Sequence, residues 1–481
     1  MDRDFDAIVI GSGIGGLTSG AFLARSGMKV LVLEKHIRIG GYSHCFKRKQ
    51  FRFESAIHSI PMGKDGLIMH LLKQLGVENS ITTEEHKSMY QSRWSDFSYS
   101  MPVWYHQIIE KLGEDFPHQR SNLMKMFDEM RPFYDSFISP ARAGSLVETD
   151  HYRSFISSYQ NRNFKSYIDS YIEDEKLRRI FYSQWFFGGT PPSNAPVAFY
   201  VLMFIVHAME GSHFVTGGFD KLATALASAI TSSGGEVRTR SEVKEIKIEG
   251  GRAHTACLTN GDSFSADYFV SNISPYILHR EIISQESRNK IWLRRLNNLN
   301  PSLSCVALYI GLDTFTSEFV PSGVFNWFGD TDDSIFERIQ SGKLDKIDHL
   351  IFLHPSDSAE EKTLTILNFV KKSASEDWKT EKKLHAERML TEAEKVIPGL
   401  RKHISLMEIG SPSTFERYTA NTDGAIYGFE NTSHIYGEAK LPFKTHISNL
   451  FQAGHWGKPG GGIWNTMYNG YTAALTMLKS N

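Results

Sequence analysis

The chain has 481 residues, 41% of them hydrophobic and 22% charged, with a formal net charge of −1. This length favours two or three domains, or one large discontinuous one, and the composition is that of a folded chain with a sizeable core rather than a disordered one. Charge near zero, with no run of five or more basic residues, supplies no field for nucleic acid and argues against it as a partner.

The chain opens on an acidic segment that leads straight into a strand, unlike a cleavable signal. Asp6 to Ile10 is a β-branched run that reads as a buried parallel strand. A glycine-rich turn follows, then a helix over Ile14 to Ser26 with Gly27 as its left-handed stop. Lys29 to Leu33 is a second strand, ending in Glu34, so one βαβ unit is complete by that residue. From Leu67 to about Tyr171 the pattern is helical, with breaks expected at Pro102, Pro117, Pro132 and Pro140. The most apolar stretch, Val197 to Met209, contains His207. It is shorter than the roughly 20 residues a bilayer crossing needs, so it is no transmembrane helix. Gly217 to Ile230 reads as a small-residue helix, Glu236 to Ile248 alternates like strands, and Asn260-Gly261 is a hairpin turn before a strand that closes over Tyr268 to Ser271. Ser304 to Leu312 and Leu364 to Val370 are further strands. The end runs strand (Asn449 to Ala453), glycine turn, helix (Ile463 to Leu478).

The two ends of the chain therefore share a strand–glycine turn–helix pattern that the middle lacks. This predicts an α/β fold whose Rossmann-type nucleotide-binding domain is discontinuous, built from residues 1–75, 217–275 and 445–481. An α+β substrate domain, residues 76–216 and 276–444, is inserted between the pieces. Cys45, Cys257 and Cys305 have no CxxC or metal spacing, which fits a reducing compartment and offers no metal site. Cytoplasmic residence is the expectation.

The turn Gly11-Ser12-Gly13-Ile14-Gly15-Gly16 matches GxGxxG. Gly11 permits the tight turn, Gly13 lets backbone approach a pyrophosphate, and Gly16 lets helix and strand pack closely. The helix start offers free N–H groups and partial positive charge to the phosphates. Glu34 follows Gly16 at the spacing this fingerprint asks for, and is placed to accept hydrogen bonds from ribose hydroxyls. Its continuation through Lys35 reaches a second glycine pair, Gly40-Gly41-Tyr42-Ser43-His44, which brings more backbone N–H groups to the same ligand. Near the C-terminus Gly454-His455-Trp456 and Gly462-Ile463 open the last helix, whose start carries positive partial charge.

These residues resemble the ExxxRxGG extension and the closing motif of FAD proteins in the amine-oxidase and phytoene-desaturase superfamily. With Phe51 to His58, Gly188 to Ser193 and Gly217 to Leu222 followed by Val243, the chain resembles the phytoene desaturase, carotenoid isomerase and retinol saturase family from end to end. The resemblance implies a glutathione-reductase-like domain holding one FAD non-covalently, with the last helix facing the flavin pyrimidine and His455 and Trp456 packed on the flavin. It also implies an apolar tunnel for a polyene or similar lipid. Trp185, Phe199, Tyr200, Phe204 and Trp456 are the candidate substrate contacts, and His58 the one candidate for a polar, proton-transferring group beside the flavin. The activity implied is desaturation, saturation or double-bond isomerisation, with an amine-oxidase-like flavoprotein as the alternative. No second nucleotide motif supports NAD(P) as electron donor or acceptor. An apolar substrate implies peripheral contact with a membrane surface.

Overall fold

The structure is a computed structural model that describes residues 3–145, 150–329, 332–356, 361–372, 377–434 and 440–480. Met1, Asp2 and Asn481, included in the expected nucleotide domain, lie outside the described residues, as do short stretches of the expected inserted domain.

Two seven-stranded sheets organise the described residues. In the first, Phe5–Ile10 lies between Val30–Leu33 and Ser263–Ser271, parallel to both. Glu236–Arg238 extends the sheet in parallel beyond Val30–Leu33, and Leu450–Gln452 pairs in parallel with Ser263–Ser271. Val243–Glu249 and Arg252–Leu258 continue from the same strand as an antiparallel meander. Segments from the two ends of the chain thus share one sheet. Its first strand is buried on both faces, as parallel strands require. Ala7 and Val9 point to the large core that includes helices Ile14–Arg25, Asp220–Ser232 and Ile463–Leu478, while Ile8 and Ile10 point to the meander side.

The second sheet runs in the order Ile404–Gly410, Ser304–Leu312, Thr363–Val370, His349–His354, Gly323–Phe328, Tyr90–Arg93, Ser98–Met101. Its ladders are antiparallel except where Gly323–Phe328 meets Tyr90–Arg93. The alternation of Ser304–Leu312 divides its work. Val306, Leu308 and Ile310 pack under helix Trp378–Val396, whereas Cys305, Ala307 and Tyr309 face the large core.

Two expectations change. Thr83–Glu85, Tyr90–Arg93 and Ser98–Met101 are strands inside the stretch expected to be helical. Tyr90–Arg93 forms a hairpin with Ser98–Met101 and joins the sheet through Gly323–Phe328, far downstream in the chain. Pro132 and Pro140 do not break a helix but lie within Arg120–Arg142. A proline removes one i→i−4 bond, but the apolar stripe Phe127, Met130, Phe133, Tyr134, Phe137 and Ile138 stays buried across both positions. Tertiary packing holds the helix through the lost bonds. Among the described residues no helix is long and apolar enough to cross a membrane.

Candidate active site

The glycine turn between the first strand and its helix is closed by backbone. Gly11 has φ +92°, and Leu17 N–H donates to Gly13 O at 2.9 Å as the first intrahelical bond. The amides before Leu17 therefore have no acceptor inside the helix. Gly15 and Gly16 do not line the cavity. A Cβ on Gly15 would lie 2.6 Å from Gly454 Cα, and one on Gly16 would overlap the Gly11 carbonyl oxygen. These two glycines, like Gly454, let three pieces of backbone meet.

Glu34 is buried at the end of the second strand. Its Oε2 accepts from the Ser12 amide at 2.9 Å and the Ser12 hydroxyl at 2.6 Å, and Oε1 accepts from the His36 amide at 2.8 Å. Ser12 thus serves the carboxylate rather than the cavity wall. The second glycine loop pairs with the first: Gly40 N–H donates to Ser12 O at 2.9 Å, and a Cβ on Gly41 would lie 3.2 Å from Gly13 Cα. Tyr42 donates its hydroxyl to Ala425 O at 3.1 Å, Ser43 donates to Phe219 O at 2.8 Å, and His44 Nδ1 sits 2.6 Å from Gly41 O. Burial lowers the His44 pKa.

A cavity of about 570 Å³ runs along these loops. Gly11, Gly13, Ile14, Glu34, Lys35, Gly40, Gly41, Tyr42, Ser43, His44, Val243, His455, Gly462 and Ile463 all line it, together with His58. Its carboxylates, Glu34, Glu242 and Glu281, belong to the nucleotide end around Ser241 and Val243. Its other end lies among Ile57, His58, Phe187, Met203, Val206, His207, Cys305, Leu367, Ile426 and Tyr427, none of them a carboxylate. Three rings stack there. His58 lies on Phe187 at 6.2 Å and 21°, and Phe187 on His207 at 5.9 Å and 23°. Burial pushes His58 down to about 4 and His207 to about 3, and His455 falls to about 4 for the same reason, with Lys440 adding repulsion. All three imidazoles are therefore neutral at pH 7. Burial pushes the Cys305 thiol up to about 12, so it presents no thiolate.

The aromatic substrate contacts expected from sequence are elsewhere. Trp185, Phe199, Tyr200, Phe204 and Trp456 are core residues that do not line the cavity. Phe204 packs on Phe127 and Phe181, Tyr200 on Phe164, and Trp185 on His349 and Phe369. Trp456 packs on Tyr276 and Phe429 and donates to Asn421 Oδ1 at 3.1 Å. The reason is that helix Val197–Glu210 is apolar on every side, so periodicity carries no sign of which face meets the cavity. Met203, Val206 and His207 do, at i, i+3 and i+4.

Sequence reasoning also missed Glu210 at the end of that helix. Its Oε1 accepts from the Tyr134 hydroxyl at 3.0 Å and the Trp464 indole at 3.1 Å, and its Oε2 accepts from Leu67 N–H at 3.2 Å. Trp464 lines the cavity in the first turn of the last helix. The available signal was a carboxylate closing an otherwise apolar helix.

These residues fit a flavin dinucleotide. Two helix starts, at Ile14 and Ile463, open on one cavity. At Gly462, φ +92°, an added Cβ would come into ordinary contact with Met203 Cε at 3.6 Å, another residue of the cavity wall. Asn272 and Asn465 line the same cavity, and their Oδ1 atoms have no partner among the described residues. Glu34→Ala removes the carboxylate that joins Ser12 to His36 and reaches the cavity. Its flavin dissociation constant is expected to rise about ten- to hundred-fold, the worth of one or two charge-assisted hydrogen bonds. Flavin-to-protein absorbance of the purified variant checks this; undiminished occupancy under dilution would exclude the role.

The comparisons with known proteins agree with this geometry. Prolycopene isomerase of Daucus carota is 25% identical over 502 residues, covering 98% of this chain and 80% of that protein. All-trans-retinol 13,14-reductase of Danio rerio is 25% identical over 542 residues, covering 99% and 85%. These matches bear out the resemblance to the desaturase, isomerase and retinol saturase group. In fold, an oxidoreductase from Methanosarcina mazei superposes with a TM-score of 0.66 at 17% identity, over 97% of this chain and 99% of that one. The model of the flavin containing amine oxidoreductases matches residues 14–478. The chain belongs to that family, and is a flavin-dependent oxidoreductase.

Proposed function

We propose that this oxidoreductase holds one FAD non-covalently and acts on C–C or C=C bonds of a long apolar polyene of the carotenoid or retinoid kind. Desaturation, saturation and cis–trans isomerisation are the reactions this reading covers. The observation that carries it is the composition of the inner end of the cavity: apolar and aromatic side chains, two neutral imidazoles and no carboxylate among the lining residues. A cationic amine would leave its charge uncompensated there, at a cost of several kcal/mol, which disfavours the amine-oxidase-like alternative. The names of the relatives, a prolycopene isomerase and a retinol reductase, support the same substrate class.

In this reading residues 1–75, 217–275 and 445–481 bind the cofactor and residues 76–216 and 276–444 the substrate. Bound FAD supplies a hydride acceptor or donor. The chain's own part is placement. The amides at Ile14 and Gly41 would hold the pyrophosphate, Glu34 would hold the ribose, and the start of the last helix would set positive partial charge beside the flavin. Phe187, Met203, Val206 and Leu367 exclude water from the reacting bond. The neutral His58 lies where a proton can be given or taken. No second dinucleotide motif supports NAD(P) as a partner, and an insoluble polyene would reach the cavity from a membrane surface.

Expression in a host that makes acyclic carotenoids tests the reading. The pigment profile is expected to shift in conjugation length or isomer composition, and the purified protein to be yellow and to release FAD in acid. An unchanged profile in several polyene-producing hosts, with turnover of an amine instead, would overturn it.

A further inference from the structure

Helix Val197–Glu210 contains, besides Tyr200, only two polar side chains, His207 and Glu210. Glu210 is fully engaged by three donors. His207 is different. It lines the cavity and is buried from bulk water, and its ring is held from the Gly211-Ser212 corner, with Nδ1 lying 2.9 Å from Ser212 Oγ and the Gly211 backbone in support. Phe187 stacks on one face and so holds the ring plane. Around it are Met203, Val206 and Phe187, with the His58, His213 and His86 imidazoles near enough to disfavour a charge on it. Facing a pure hydrocarbon, the Nε2 edge of this ring would lose its water and gain nothing, and an unpaired buried polar group of that kind is costly.

We propose that His207, set by Ser212, is a specificity-determining residue that pairs with a hydroxyl group on the polyene, so that the preferred substrate is a polyene alcohol. This rests on the polyene reading above and names the substrate within it. The tautomer follows from the direction of the Ser212 bond. If Ser212 donates to Nδ1, Nε2 carries the proton and donates to the substrate oxygen; if Nδ1 donates to Ser212, Nε2 accepts from the substrate hydroxyl. A hydroxyl satisfies either arrangement because it both donates and accepts, whereas a carbonyl satisfies only the first. His58, across Phe187, is held through Nδ1 by a long 3.4 Å contact to Ala56 O and lacks such a side-chain anchor. That makes His207 the better fixed of the two.

The test uses the flavin-loaded protein, titrated anaerobically in detergent with all-trans-retinol and with the hydrocarbon that has hydrogen in place of its hydroxyl, read as perturbation of the flavin spectrum. The wild type is expected to bind the alcohol about tenfold or more tightly than the hydrocarbon, the worth of one buried hydrogen bond whose loss leaves a partner unpaired. His207→Phe is expected to abolish that preference by weakening the alcohol alone, with the flavin spectrum of the free protein unchanged. Ser212→Ala, which leaves the cavity wall intact, is expected to reduce the preference and serves if the first variant does not fold. Equal binding of the two ligands by the wild type, or a preference kept in both variants, overturns the inference while leaving the polyene reading standing. No perturbation by either ligand also overturns the inference, while the polyene reading is decided separately by the pigment profiles.

Discussion

Glu210→Ala is expected to be the most destabilising single substitution at this site, by about 3–5 kcal/mol. The change leaves the Trp464 indole, the Tyr134 hydroxyl and the Leu67 amide without their acceptor, and opens a void where Gly66 is moulded to the carboxylate. Because Trp464 lines the cavity, flavin occupancy should fall together with the denaturation midpoint. Glu210→Gln keeps the volume and one acceptor, and is expected to lose less. Its pH response separates charge from shape. Burial raises Glu210 from 4.5 to about 7, against the opposing help of Trp464, the Leu67 amide, Tyr134 and Arg142. The native state therefore binds more protons than the unfolded chain between these values, and the stability contributed by the protonated form is lost as pH rises from 4.5 to 7. The total is on the order of 3 kcal/mol. Glu54, also raised to about 7 by burial, acts with the same sign. His58, His207 and His455 act oppositely, losing stability as pH falls below 6.5. The difference between wild type and Glu210→Gln removes those shared contributions. Urea denaturation at several pH values should show that difference changing across pH 4.5–7 and flat above; a constant difference would mean that Glu210 does not titrate in this range.

Gly470→Ala is the second large effect. Helices Ile14–Arg25 and Ile463–Leu478 cross where a Cβ on Gly470 would overlap the Gly15 carbonyl oxygen and lie 3.0 Å from Thr18 Cβ. The obstacle is backbone, so no rotamer relieves it, and overpacking of this kind costs about 1–3 kcal/mol. The displaced element is the one that presents the glycine turn, and Gly15 in turn lies directly against the Gly454 backbone. One extra methyl group should therefore loosen both helix starts at once. Flavin affinity is expected to drop about tenfold, the equivalent of roughly 1.4 kcal/mol, measured by fluorescence of released flavin on dilution. Unchanged affinity with normal stability would show that the two helices can separate without disturbing the cavity.

The nucleotide side of the site was legible because its chemistry is local. Gly11 to Gly16, Glu34 and Gly40-Gly41 lie close together in the chain, and each residue type answers a backbone requirement that holds wherever a strand turns into a helix. Short-range signals also marked Ser304–Leu312 and Ile463–Leu478 correctly to the residue. The inner end of the cavity was not legible. Helix Val197–Glu210 is apolar on all sides, so the sequence suggested its aromatic residues as contacts, while packing against Phe127, Phe164 and Phe181 turned those inward and left Met203, Val206 and His207 to the cavity. Glu210 meets Leu67, Tyr134 and Trp464 from three distant segments, and no spacing predicts such a meeting.

By itself the sequence determined the βαβ unit and the class of cofactor, since these depend on residues a few positions apart and on the conformational freedom of glycine. Tertiary structure alone decided which face of a uniformly apolar helix lines the cavity, which histidine is anchored at its wall, and which carboxylate is buried behind the last helix. Those outcomes are set by the packing of segments far apart in the chain, where burial rather than local pattern chooses the neighbour and the charge state.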